Sequence, residues 1–140
     1  MGVLVVTRYL AAYGVCIAVM LMLDGIWIGV LAKPWYQQGI GHLMGTTFNP
    51  VAAAAFYAIY GIGLVYFVVA PGGVSTGWSK TLLSGAVFGL CAYAAYDLTN
   101  LATLRNWPLG VSLMDMAWGS VASMAACAGG KLAFDRLGGS

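Results

Sequence analysis

Four long apolar runs, each closed off by proline, glycine or charge, leave this chain few ways to fold. They cover roughly residues 9–32, 51–70, 80–103 and 109–132, and crossing the hydrocarbon core of a bilayer takes a helix of about 20 apolar residues. Charge is too scarce for a water-facing alternative. Only 7% of the 140 residues are charged, and mean hydropathy is +0.88; a soluble domain carries about 25% charged residues. Backbone exposed to lipid must satisfy its own hydrogen bonds, which favours helices. The expectation is an all-α fold: one integral membrane domain over 1–140, built as a four-transmembrane-helix bundle. The first run is long, holds Asp24 and lacks a small-residue exit, so it reads as a retained span rather than a cleaved leader.

The connections carry ordinary helix punctuation. Lys33-Pro34-Trp35-Tyr36 ends the first run with a cation, a breaker and two interfacial aromatics. Residues 33–50 form the longest connection, and Trp35, Tyr36, Ile40, Leu43 and Met44 can share one side of a short interfacial helix. Asn49-Pro50 suits an N-cap followed by N1. Pro71-Gly72-Gly73 breaks the second run and Trp107-Pro108 separates the last two. Gly25 with Gly29, and Gly85 with Gly89, are small-x-x-x-small pairs that admit a neighbouring helix closely. Lys131 to Ser140 reads as a short polar tail.

Four spans put both termini on one side. That side holds Arg8, Lys80, Lys131 and Arg136, against Lys33 and Arg105 opposite, which favours cytoplasmic termini in a bacterial inner membrane. A formal charge of +2 gives no nucleic-acid footprint. Cys16, Cys91 and Cys127 are dispersed packing residues without C-x-x-C spacing.

The functional signal is polar side chains at membrane depth. There is no glutamate, and three of the four aspartates lie inside apolar runs. Tyr93, Asp97 and Asn100 fall at i, i+4 and i+7, on one helix face. At 1.5 Å per residue, Asp24, Asp97 and Asp115 all sit about 9–12 Å below the interface opposite the termini. Turned inward, they would converge beneath a lid made by residues 33–50, with Asp97 central and His42 at the mouth. Tyr93, Tyr96 and Asn100 would supply hydrogen bonds, and Trp27 and Trp118, one turn from an acid each, would wall the pocket or receive a cation. Three ionised carboxylates there would repel, so one should carry a proton or a cation should approach, Arg105 among them. The acids can equally serve as glue between helices. A metal site is not expected, because His42 is the only imidazole and no E-x-x-H spacing exists. Haem attachment and a G-x-S-x-G nucleophile are also missing, so no cofactor is expected. An echo links Asp24-x-x-Trp27 to Asp115-x-x-Trp118, and Tyr57-x-x-Tyr60 to Tyr93-x-x-Tyr96; tandem duplication would match the first run to the third, so it reads as coincidence.

Leu23-Asp24-Gly25-Ile26-Trp27, Gly41-His42-Leu43, Tyr96-Asp97-Leu98-Thr99-Asn100-Leu101-Ala102-Thr103-Leu104, Trp107-Pro108-Leu109 and Asp115-Met116-Ala117-Trp118-Gly119 together resemble a bacterial family of predicted membrane proteins, domain of unknown function 2177. The resemblance spans nearly the whole chain and implies a four-helix inner-membrane protein without an agreed activity. Relatives associate with gene neighbourhoods for modifying unsaturated acyl chains, which tilts the expected ligand toward a membrane lipid by analogy. Two readings follow. One is an outer-leaflet Asp/Trp/Tyr pocket for a lipidic or small-molecule ligand, serving lipid modification or proton-coupled transport, in a chain that dimerises. The other is a non-catalytic accessory subunit packed into a larger membrane complex.

Overall fold

The computed structural model describes residues 2–139. Helix α1 (Gly2–Ile26) runs on through a π-helical turn, Trp27–Leu31, into the short α2 (Lys33–Ile40) and a 3-10 turn, Gly41–Leu43. Helix α3 (Pro50–Leu64) likewise ends in a π-helical turn, Val65–Val69; α4 is Trp78–Thr103 and α5 is Leu109–Gly138. Four helices are long and apolar enough to cross a membrane: Gly2–Leu31, Pro50–Val69, Trp78–Thr103 and Leu109–Gly138.

The boundaries follow local chemistry. Asn49 Oδ1 accepts the Ala52 N–H at 3.1 Å, and Pro50 occupies the first turn of α3, where its missing donor is not needed. Gly72 and Gly73 take φ of 86° and 64° beyond Pro71, and Asn106 takes 59° in the α4–α5 turn. Glycine and asparagine are the residues that tolerate this left-handed region.

Helix α5 is the spine of the bundle, packing along both α1 and α4. Every fourth residue of α1 turns inward as Ala12, Cys16, Met20 and Asp24, and α4 does the same with Thr81, Gly85, Gly89 and Asp97. Gly119, Ala122, Ser123, Ala126, Cys127 and Gly130 answer them from α5. Without a hydrophobic drive between spans in lipid, close approach of small residues supplies the attraction. A Cβ on Gly85 would press on Cys127 at 3.1 Å, and one on Gly89 would strike the Gly119 carbonyl and Ser123. Gly25 and Gly29, the other pair expected to pack, face open space. The polar tail expected after Lys131 is instead helical to Gly138. Lys131 is only 2% exposed, pairs with Asp135 at 2.7 Å, and lies 5.5 Å from the Trp78 ring. One helical turn separates Lys131 from Asp135, so helix continuation is what makes the pair.

Candidate functional site

Helix α3 packs on α1, and its main backbone approach to α4 is at the π-helical turn Val65–Val69. Toward the end of the bundle opposite the termini the two helices diverge. Tyr60 closes the bottom of the gap: its hydroxyl meets Ser123 Oγ at 2.7 Å, and its ring lies 5.6 Å from Phe88 and 6.2 Å from Tyr93. Above this floor is a cavity of about 780 Å³, lined from all four long helices and roofed by Tyr36, Ile40, Met44 and Phe48 of the α1–α3 connection. Exposed Phe56 of α3 and Tyr96 of α4 flank its side opening.

The polar end of the cavity is a crossed network. Helices α1 and α5 run antiparallel and both carry Asp-x-x-Trp, so each acid stands across from the other motif's indole. Trp118 Nε1 donates to Asp24 Oδ1 at 2.8 Å, and the Tyr57 hydroxyl donates to Asp24 Oδ2 at 2.7 Å. On the other diagonal the link passes through a phenol: Trp27 Nε1 donates to the Tyr36 hydroxyl at 3.3 Å, which donates to Asp115 Oδ1. The two indoles stack face to face, with centroids 4.3 Å apart and 3° between planes. The echo that read as coincidence is thus a working contact between antiparallel helices. Burial first, then the bond to the Asp115 carboxyl, pushes the Tyr36 phenol above its ordinary range and keeps it a donor.

Asp24, Trp27, Tyr93, Tyr96, Asp115 and Trp118 all line this cavity. Asp97, placed at its centre by sequence reasoning, does not. It is fully buried behind the wall, facing the Asp115 carboxyl, and no N–H or hydroxyl of another residue reaches either of its oxygens. Ser112, on the first turn of α5, bonds its backbone carbonyl instead. Asn100 is half-buried away from the cavity, and His42 is exposed on the 3-10 turn, outside the mouth. Arg105 is exposed, and the one ion pair among the described residues is Lys131 with Asp135. No group of three metal-ligating side chains occurs among the described residues.

Sequence reasoning missed Tyr36, Tyr57 and Tyr60 as members of the site. The depth argument already reached Tyr57: it lies about seven residues into α3, or about 10 Å, level with the three acids. Tyr36 offered no such signal, because its position depends on how α2 folds back over the bundle.

No curated protein and no solved structure matches this chain. The family model described as "Predicted membrane protein (DUF2177)" matches residues 9–132. That match takes in all four long helices, the connection that roofs the cavity, and every aromatic and acidic residue of the crossed network. The chain belongs to this family of membrane proteins of unknown function.

Proposed function

We propose that this protein binds a membrane lipid or similar amphiphile, admitted sideways between α3 and α4. The observation that carries the reading is the cavity itself: partly open, apolar along most of its wall, with Asp24 and Asp115 among the few polar groups, and set where α3 makes little backbone contact with α4. Ligand sites are mostly apolar concavities with a few placed polar groups, and a lateral opening suits a ligand that arrives through the bilayer. The basic residues favour termini in the cytoplasm, which puts the cavity in the outer leaflet of a bacterial inner membrane. Asp24 and Asp115 are the groups that could exchange a proton with the occupant, as lipid modification or proton-coupled transport would require.

Native mass spectrometry after gentle extraction tests the reading. A single chain or homodimer should carry a lipid, and Ala92→Phe, which fills the cavity from the α4 wall, should lose it. A wild-type protein stripped of lipid under conditions that spare annular lipids on a control protein would sink it.

One observation favours the alternative, an accessory subunit. Gly25 and Gly29 form an exposed close-packing face with nothing against it. Stoichiometric co-extraction with another membrane subunit, abolished by Gly25→Leu, would support that role.

A further inference from the structure

The hydrogen-bond inventory of the cavity narrows what its polar end can receive. Of the donors there, the Trp118 and Tyr57 groups are spent on Asp24, the Tyr36 hydroxyl on Asp115 and the Trp27 indole on Tyr36, which leaves the Tyr93 and Tyr96 hydroxyls. Against these two hydroxyls, each able to donate or accept, stand the carboxylate lone pairs of Asp24 and Asp115, the remaining phenol lone pairs and the aromatic faces. Acceptors outnumber free donors at this end, which favours a donor as its complement. Charge points the same way. Asp24 and Asp115 line the cavity and Asp97 lies buried beside Asp115, while the one basic residue of the lining, Lys33, is exposed. An anionic head would be repelled at the inner end. An ammonium would be drawn to the acids and held over ring faces such as those of Tyr93 and Trp118.

We propose that the occupant's polar end is an amine: the site selects a lipid or long-chain amphiphile bearing an ammonium group, against hydroxyl or carboxylate heads on the same chain. The inference rests on the lipid-pocket reading and adds the chemical class. The apolar walls supply chain binding common to all three heads, so selectivity must come from the Asp24–Asp115 end.

The test uses dibrominated octadecyl chains ending in an amine, an alcohol or a carboxylic acid, added at neutral pH to the purified full-length protein in detergent. Saturable quenching of tryptophan fluorescence reports binding, since Trp27 and Trp118 form the cavity wall. The amine should bind at least about tenfold tighter than the alcohol, and the acid weakest. Asp115→Asn keeps an oxygen for Tyr36 while removing the charge, and should shrink the amine preference to about threefold or less. The wild-type ranking alone still decides if that variant fails to fold. Equal binding by all three heads, or tightest binding by the acid, would overturn the amine assignment and leave the pocket reading standing. Absence of saturable binding by any head, or binding that Ala92→Phe does not reduce, would remove the pocket and the assignment with it. Choline binding as tightly as the long-chain amine would overturn the lipid source and identify a water-soluble amine instead.

Discussion

The two ends of this bundle are made by the same four spans and are packed by opposite means. At the end that holds the termini, Ala12, Cys16, Ala126, Cys127 and Gly130 let α1, α5 and the end of α3 touch nearly backbone to backbone. At the other end Trp27, Tyr57, Tyr93 and Trp118 line the cavity, and the stacked indoles fill the space between α1 and α5. Small residues gain dispersion contacts by close approach. Large aromatics with polar tips hold helices apart and become worthwhile when each N–H and O–H finds an acceptor. Stability is concentrated at one end, and the space for a ligand at the other.

The largest expected effect probes that division. Gly130 is flanked by Cys16 Sγ, by Val69 at 3.3 Å and by the Ala12 carbonyl at 3.4 Å from an added Cβ. Gly130→Val should cost about 3 kcal/mol or more, since the added side chain drives into the fully buried Cys16 Sγ, which has no room to move aside. Ala53→Val adds comparable bulk on the cavity wall and should cost under about 1 kcal/mol. Thermal unfolding in one detergent measures both; equal losses would mean that the cavity end is packed as tightly as the other.

A smaller effect separates the acids. Asp24 accepts two hydrogen bonds, and Asp24→Asn turns a donor toward one of those partners, at a cost of about 1–3 kcal/mol. Asp97 accepts from no N–H or hydroxyl and faces the Asp115 carboxyl. Asp97→Asn should unfold at or above the wild-type temperature, because two buried carboxyls facing each other are replaced by an amide that can donate to Asp115. A drop as large as that of Asp24→Asn would show that Asp97 is structural glue like its neighbour.

The same contrast explains how much could be read in advance. Span number and the depth of the acids are one-dimensional properties, set by hydropathy and a fixed rise per residue, so four helices and the common level of Asp24 and Asp115 were legible. Which way a residue turns is not. Tyr93 and Asp97 share a helix face by spacing, yet one lines the cavity and the other packs behind it, because α5 lies against one edge of that face and the gap against the other. Gly25-x-x-x-Gly29 and Gly85-x-x-x-Gly89 are indistinguishable as patterns, and only the second meets a partner. Lys131 reads from sequence as the start of a polar tail, and its spacing from Asp135, one helical turn, is the contrary signal.

The smallest effect concerns Tyr36, which couples the roof to the polar end. Its phenol titrates higher when folded than when unfolded, from burial first and its bond to Asp115 second. The unfolded chain therefore releases this proton first, at about pH 10. The stabilising contribution is fully present below that value and is lost as pH rises through the higher folded value. Tyr36→Phe removes both the bond, at about 1 kcal/mol near neutrality, and this pH dependence. Between about pH 9 and about pH 11 the wild-type unfolding temperature should fall more steeply than that of Tyr36→Phe, and the two curves should converge. Parallel curves would place Tyr36 in water rather than against Asp115, and the cavity would then lack its roof.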